Sequence, residues 1–451
     1  MIKMNSRISL VYDRILYDSP IPNGVSWSVI KNIFKNYGEI DFLNEYVNKH
    51  TELYNVPPSV NNSFLSSEVF GNINFKNSNQ IIFDYIAERL NYEFIYPIES
   101  FSRFFTCLGY ESDVQLTDLL NGIIEDEKSF FNFINEDILK IIKEKKGYIL
   151  LNHAHEGDAN KLDILLIKKL LNKYGIPKDR FIYVYNSFDL EGINFKNYNF
   201  QWHLARKSTE TLKLYESQLL NENNIFQKQN KFNYPIRRFR GHRMELLEKL
   251  WYYDKNFINE NLVSYDIDVE NNKGALRNFT KEFVDFIKES KRKVIDTEDM
   301  ESVQGYRTEN KWVYEQSYFS IVAETMFYEN YNYVSEKTYK PIAHQHPFIL
   351  LGRANTLKFL KQLGFKTFSP FIDESYDSEM DDKKRFEMIY NEIIRLNSLS
   401  NEECDEILKS LNDILIFNQN HLIEINRDLK YEYKFGNYIH NLLFPKRNEL
   451  I

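Results

Sequence analysis

The sequence contains little cysteine, glycine or proline. Its 451 residues include only two cysteines, Cys107 and Cys404, and they lie far apart without a neighbouring cysteine. This excludes a small disulfide-stabilised domain and a zinc site built from Cys-x-x-Cys pairs, and it favours a reducing compartment such as the cytoplasm. With 15 glycines and 11 prolines, the chain has little material for disordered linkers.

Long apolar runs and an excess of positive charge are also missing. No segment of 18 uncharged apolar residues occurs, and the N-terminus lacks a basic region followed by an apolar run and a cleavage site. We therefore expect no membrane span and no secretion signal. The net charge of −8 excludes a protein that is basic overall, so any contact with nucleic acid would need a local basic patch.

The sequence alternates short apolar runs with segments whose apolar residues recur at helical spacing. The length predicts two domains, because one compact core of ordinary size cannot hold the whole chain. Residues 147–152 and 181–185 are predicted strands that flank a helix at 161–174, which makes one βαβ unit. Further apolar runs, typical of a second unit of this kind, lie at residues 262–265, 293–295, 319–323 and 348–351.

We therefore predict an α/β protein with two Rossmann-like domains that face a cleft. The predicted N-terminal domain covers residues 1–230, and the polar residues 221–234 are interpreted as the link between the domains. The predicted C-terminal domain covers residues 231–451 and ends in closing helices.

One predicted strand-to-helix junction carries a carboxylate, a hydroxyl and a lysine. Glu324 ends the predicted strand, and Ser335, Glu336 and Lys337 open the next helix. Open α/β sheets bind phosphorylated ligands at such junctions, where Lys and Ser suit phosphate oxygens and Glu suits ribose hydroxyls. The alternative is an ordinary helix start with a Ser cap and an acid in the first turn. The residues alone leave both interpretations open.

A second junction is strongly basic. Five basic residues stand within seven positions directly before a predicted helix: Arg237, Arg238, Arg240, His242 and Arg243. Guanidinium groups bind phosphate oxygens in pairs of hydrogen bonds, and a helix N-terminus adds unsatisfied N–H groups and a positive dipole end. This pattern predicts a diphosphate site, whereas the alternative is a solvated basic turn.

These two junctions resemble the donor-binding half of the α1,3/4-fucosyltransferases. In that family a strand ends in F-E-N-S and is followed by Y-V/I-T-E-K-L/F and a helix. Here the strand ends in Glu324 and Thr325, and Y-V-S-E-K-T-Y follows from Tyr333. The chain is also similar to bacteriophage-encoded glycosyltransferase-like proteins in residues 237–243, 317–325, 335–342 and 364–377. Ile236 stands where those proteins have Asn, and the resemblance covers about residues 232–395.

The resemblance implies a GT-B fold in which the C-terminal half holds a nucleotide sugar. It implies donor-binding roles for both junctions, Tyr333 included. Neutralisation of the leaving diphosphate by these Arg and Lys residues would be electrostatic catalysis without a metal, so we expect an enzyme that needs no metal and no cofactor besides the donor substrate. A bacteriophage origin would place the protein in the host cytoplasm.

A third cluster follows the predicted strand at residues 147–152. It contains His153, His155, Glu156 and Asp158. An inverting transferase needs a base for the acceptor proton, and we assign this role to Glu156, with the two histidines and Asp158 on the acceptor side. A metal site and a purely structural loop are the alternatives, although no fixed third metal ligand is evident.

The predicted function is transfer of a sugar from a nucleotide diphosphate sugar to an acceptor hydroxyl. The acceptor stays open between a hydroxymethylated phage DNA base, a surface glycan and a protein side chain. Two other classes also remain open. One is a non-catalytic nucleotide-sugar-binding protein, and the other is a nucleic-acid-binding protein that uses residues 237–243.

Overall fold

The computed structural model divides the chain into two compact units. Met1–Trp202 with Leu429–Ile451 form unit 1, and His203–Asp428 form unit 2. The residues that the structure describes are 8–12, 73–87, 93–99, 134–154, 161–188, 191–201, 204, 228–236, 239–265, 276–290, 311–328, 334–427 and 430–444. No helix within these ranges combines the length and apolar character needed to cross a membrane.

The elements alternate as an α/β fold requires. The strands are β1 Ile8–Tyr12, β2 Ile73–Asn77, β3 Phe94–Glu99, β4 Tyr148–His153, β5 Phe181–Tyr185, β6 Lys196–Asn199, β7 Asn230–Pro235, β8 Leu262–Ser264, β9 Ser317–Ala323 and β10 Phe348–Leu351. The helices are α1 Ser78–Ile86, α2 Glu136–Lys143, α3 Lys161–Tyr174, α4 Gly241–Tyr253, α5 Phe257–Glu260, α6 Lys281–Glu289, α7 Lys311–Glu315, α8 Glu336–Ala343, α9 Thr356–Gln362, α10 Asp382–Asn397, α11 Asn401–Arg427 and α12 Lys430–Leu443. Two short 3-10 helices lie at Lys178–Arg180 and Ser375–Ser378.

Unit 1 contains a sheet of parallel strands in the order β2-β1-β3-β4-β5-β6. Strands β4 and β5 are buried along their whole length, which is typical of parallel strands covered on both faces. Helix α12 also belongs to this unit, because Phe435 and Tyr438 pack on Tyr198 of β6. The sequence had suggested instead that all C-terminal helices close the second domain.

Unit 2 contains parallel strands in the order β10-β9-β7-β8. Every residue of β9 is buried. The predicted α/β class with two parallel-sheet domains is confirmed. Strand β7 lies within the segment that was expected to be a polar link, and the predicted strand at 293–295 lies outside the described residues.

Strand β7 forms because its polar residues find partners inside the sheet. Phe232 and Tyr234 are buried, and the Asn233 amide between them donates to Ser317 Oγ at 2.8 Å and Ser320 Oγ at 2.9 Å on β9. His346 completes this network, with Nδ1 at 2.9 Å from Ser320 Oγ and Nε2 at 2.9 Å from the Ser317 carbonyl. A buried polar group costs little stability once it is hydrogen-bonded, so the Asn-rich sequence is compatible with a central strand.

The protonation state of His346 links this network to pH. Burial, reinforced by the nearby Lys228 and His344 charges, holds the pKa of His346 well below its usual range. The unfolded chain has a histidine pKa near 6.5 and takes up a proton below that pH, whereas the folded state does not. The stability that neutral His346 contributes is therefore complete above about pH 6.5 and is lost as the pH falls toward the folded pKa.

We expect the free energy of unfolding of unit 2 to fall between pH 7.5 and pH 5 by about 2 kcal/mol from this histidine alone. Urea denaturation at both pH values measures the difference. The variant His346→Gln has lower stability at pH 7.5 because the network is disturbed, but a smaller loss on acidification. An unchanged loss in that variant would contradict the assignment.

Candidate functional site

The candidate site lies where the strand order of unit 2 reverses. Strands β7 and β9 are neighbours, with Phe232 opposite Phe319 and Asn233 opposite Ser320. From β7 the chain proceeds outward to β8, whereas β9 is followed by β10 on the other side. Their carboxyl ends therefore bound the crevice in which open α/β sheets bind ligands. Two chain segments start at this edge, one leading from β7 to α4 and one leading from β9 to α8.

Glu324 directly follows β9 and is buried. Its carboxylate accepts hydrogen bonds from the Ser335 N–H at 3.1 Å, the Ser335 hydroxyl at 2.5 Å and the Thr338 hydroxyl at 2.5 Å. Ser335 is also the N-cap of α8, because its hydroxyl accepts from the Lys337 N–H at 3.3 Å. The carboxylate thus fixes the first turn of α8 to the end of β9.

The main-chain carbonyl of the same glutamate holds the first turn of α4. It accepts from His242 Nε2 at 2.9 Å and from Arg243 Nη2 at 3.0 Å. Burial and the Arg243 charge lower the pKa of His242 to about 3, so at neutral pH the imidazole is uncharged and donates through Nε2. One residue therefore fixes the N-termini of two helices at the same sheet edge.

The start of α4 lacks a side-chain cap. Arg240 is its N-cap residue, but the side chain makes no capping hydrogen bond, and the first turn contains no acid. Arg240 is exposed, its carbonyl accepts from the N–H groups of Arg243 and Met244 at 3.1 Å, and its guanidinium has no hydrogen bond or ion pair with any residue that the structure describes. A helix start normally has a Ser, Thr, Asp or Asn cap, so an exposed arginine leaves the positive end of the helix without a negative partner.

Gly241, the first residue of α4, has no structural reason to be glycine. A Cβ placed on it would meet no atom within 4 Å, and its φ is not in the left-handed region. Glycine in a helix is otherwise less favourable than alanine. Glycine at this position leaves the main-chain N–H open to approach.

Lys337 brings a second cation to this edge. Its Nζ forms an ion pair with Glu336 at 2.9 Å and lies 3.4 Å from both Thr325 Oγ1 and Ser335 Oγ, with one third of the side chain exposed. A cation in the first turn of a helix opposes the helix dipole. The carboxylate of Glu336 offsets part of this cost, and a bound anion would offset more.

The structure brings the two predicted junctions together but gives their residues different tasks. Residues 240–243 and 335–338 meet on Glu324. His242, Arg243 and Glu324, which we expected to contact the ligand, are buried and use polar groups to join the two helices. Arg240, Glu336 and Lys337 lie at the helix starts, whereas Arg237, Arg238 and Tyr333 lie outside the described residues.

The third predicted cluster is described only in part. His153, at the end of β4, is fully buried, and its Nδ1 lies 2.9 Å from the hydroxyl of Tyr183 on β5. This places His153 inside unit 1, whereas the sequence suggested an acceptor-facing side chain. His155, Glu156 and Asp158 lie outside the described residues.

Arg385 is a positioning residue that we did not single out in the sequence. It is fully buried, donates to the carbonyls of Gly352 at 3.1 Å and Phe327 at 3.2 Å, and pairs with Asp382 at 2.5 Å. It therefore ties the loop after β9 to the end of β10. The sequence pattern could have indicated that Arg385 is buried, because it lies four residues before Ile389. This spacing places both residues on the same, buried face of α10.

The segment at 364–377, which resembles the bacteriophage-encoded proteins, has a structural role. The Asp377 carboxylate accepts from the N–H groups of Leu357 at 2.8 Å and Lys358 at 2.9 Å, and so caps α9. Glu374 accepts from the Thr367 hydroxyl at 2.6 Å and the Phe368 N–H at 2.7 Å. These carboxylates hold the loop and the helix in place.

The chain matches no protein-family model and no curated protein sequence. Solved structures with similarity include an α,α-trehalose 6-phosphate synthase from Burkholderia multivorans, at 9% identity and a TM-score of 0.39 over 98% of each chain. A UDP-forming synthase from Burkholderia vietnamiensis has 9% identity and a TM-score of 0.38, over 96% of this chain and 98% of the other. A UDP-forming synthase from Burkholderia xenovorans has 8% identity and a TM-score of 0.37, over 75% of this chain and 82% of the other. Since TM-scores below 0.5 do not establish a common fold, we assign the fold from the sheets themselves.

The Glu324 carboxylate should be a main determinant of the stability of unit 2. Glu324→Ala leaves two buried hydroxyls and one buried N–H without their acceptor, so we expect a loss of about 3 kcal/mol in the free energy of unfolding. Glu387→Ala is the matched control, because Glu387 is half-exposed and pairs only with Lys249 at the surface. That change should cost less than about 1 kcal/mol. Equal losses in a urea titration would contradict the assignment.

Proposed function

We propose that unit 2 binds a nucleotide diphosphate sugar and that the protein is a glycosyltransferase acting on an acceptor hydroxyl. The observation that carries the proposal is the attachment of two helix N-termini to Glu324 at the sheet's point of reversal. An exposed Arg240 and a Lys337 side chain that is one third exposed flank this edge. A diphosphate has the charge to bind both.

In the proposed complex the diphosphate accepts hydrogen bonds from Arg240, from the N–H of Gly241 and from Lys337. An arginine gives two parallel hydrogen bonds to one phosphate, whereas a lysine acts as a compact charge. The two helix dipoles add positive potential in the same place. Fixed positive groups of this kind stabilise the charge that develops on a leaving diphosphate, so the proposed reaction does not depend on a metal ion.

The proposed reaction is a direct displacement with inversion. The acceptor oxygen forms a bond to the anomeric carbon while the bond between that carbon and the diphosphate oxygen breaks. The bonding electrons leave with the nucleoside diphosphate, and the acceptor proton passes to a carboxylate. We propose Glu156 for this base, on the sequence argument that a carboxylate follows a strand of the first domain.

The acceptor and the donor sugar are the finer part of the proposal. The resemblance to fucosyltransferases favours a hexosyl or pentosyl group as the transferred sugar. A hydroxymethylated phage DNA base and a surface glycan are the acceptors that we propose. The net charge of −8 opposes binding of negatively charged duplex DNA over a large surface. A small glycan is therefore the more favourable acceptor.

Gly241→Ala tests the diphosphate site without disturbing the fold. Because a Cβ at this position meets no protein atom, we expect equal or slightly higher stability, by up to about 1 kcal/mol. The added methyl group restricts approach to the helix start, so calorimetric affinity for a nucleoside diphosphate should fall at least roughly tenfold, about 1.4 kcal/mol. Arg240→Ala should weaken binding further or abolish it.

Lys409→Ala is the control for the Arg240 variant. Lys409 is an exposed cation on α11 of the same unit, so its removal changes the net charge equally and should leave the affinity unchanged. Full affinity in both Gly241→Ala and Arg240→Ala would contradict the proposed site. A similar loss in all three variants would indicate general electrostatic attraction.

Glu156→Gln separates catalysis from binding. The neutral amide cannot take up the acceptor proton, so transfer should fall by roughly 100-fold or more while calorimetric affinity for the donor persists. Release of nucleoside diphosphate in the presence of candidate acceptors measures turnover. Turnover equal to that of the unaltered protein would exclude Glu156 as the base.

A further inference from the structure

Tyr328 is a large aromatic side chain that remains exposed near the proposed diphosphate site. It lies on the loop after β9, and 41% of its surface is accessible. Thr325, whose hydroxyl is 3.4 Å from Lys337 Nζ, is three residues earlier, so the two Cα atoms are at most about 11 Å apart. A single ligand can therefore reach Lys337 and Tyr328 together.

The ring of Tyr328 is held in one orientation. Its hydroxyl donates to the Glu245 carboxylate on α4 at 2.5 Å. Burial and this carboxylate raise the pKa of Tyr328 far above its usual range, so the phenol keeps its proton and the hydrogen bond persists at neutral pH. An exposed aromatic ring that is fixed before binding loses little conformational freedom when a ligand covers it.

The aromatic neighbours of Tyr328 among the described residues do not cover it by parallel stacking. Phe327 lies 4.9 Å away at an interplanar angle of 85°, and His242 lies 6.4 Å away at 78°. Both are therefore edge-to-face contacts, which orient the ring. His242 is the same residue that donates to the Glu324 carbonyl, so the position of Tyr328 is coupled to the helix start that we propose for the diphosphate.

We propose that Tyr328 is the stacking platform for the base of the nucleotide, and hence the residue that distinguishes a nucleoside diphosphate from other diphosphates. The inference rests on the proposed function and assigns the base end of the same ligand. Every nucleobase has a flat π-face, and stacking on an aromatic side chain contributes about 1–3 kcal/mol per base. A diphosphate without a base has nothing to place on this ring.

The test compares two ligands on the full-length protein by calorimetry: uridine or guanosine diphosphate, and inorganic pyrophosphate. Tyr328→Ala should weaken binding of the nucleoside diphosphates by roughly 5- to 100-fold, while binding of pyrophosphate changes by less than about twofold. Tyr328→Phe keeps the ring and removes only the bond to Glu245, so its loss should be much smaller than that of the alanine variant.

Tyr252 provides the matched control. It is 43% exposed, and its hydroxyl also bonds to neighbours, at 2.8 Å from Thr280 Oγ1 and 3.1 Å from Glu282. It lies ten residues beyond His242, roughly 15 Å further along α4, so Tyr252→Ala should not change either affinity. Thermal melting of each variant verifies folding.

The outcomes separate the inference from the proposed function. Unaltered nucleoside diphosphate affinity in Tyr328→Ala, or an equal loss for pyrophosphate, overturns the stacking role while the diphosphate site stands. Failure of the unaltered protein to bind either ligand contradicts the proposed function and this inference with it. A selective loss for nucleoside diphosphates in Tyr328→Ala alone supports both.

Discussion

The geometry of unit 2 depends on the double use of Glu324. Its carboxylate holds the first turn of α8, and its carbonyl holds the first turn of α4. These are charge-assisted or buried hydrogen bonds, which cost most when one partner is removed. A buried carboxylate with three donors is stable in this place, whereas the same carboxylate without them would need to be neutral or hydrated. The two helix starts are therefore fixed relative to each other by chemistry internal to the protein.

This constraint explains why several polar side chains at the sheet edge are engaged within the protein. His242 and Arg243 bond to the Glu324 carbonyl, and Arg385 holds the loop that follows. Among the described residues at the two helix starts, Arg240 is exposed, and Lys337 is one third exposed and paired with Glu336. In the proposed complex the anion binds without rearrangement of the contacts to Glu324, which favours binding.

The sequence predicted the elements that have strong apolar periodicity and misplaced those whose polar residues are paired across strands. β9 was predicted from the apolar run at residues 319–323, and the structure buries all seven residues of the strand. Residues 221–234 were predicted to be a link because they are rich in Asn and Gln, whereas the partners of Asn233 in β7, Ser317 and Ser320, lie more than eighty residues away. The assignment of α12 to unit 1 likewise depends on a long-range aromatic contact with Tyr198. Local patterns do not contain such pairings. The same limit applies to the site, since spacing indicated that Glu324, Ser335 and Lys337 belong together but not that His242 is a donor to Glu324.

The most direct measurement of the central claim is a crystal structure of the protein with a bound nucleoside diphosphate. The account predicts phosphate oxygens at hydrogen-bond distance, about 2.7–3.2 Å, from the Arg240 guanidinium, the Gly241 N–H and Lys337 Nζ, with Glu324 still bonded to both helix starts. A diphosphate bound elsewhere on the protein, or one that displaces Ser335 from Glu324, would contradict it.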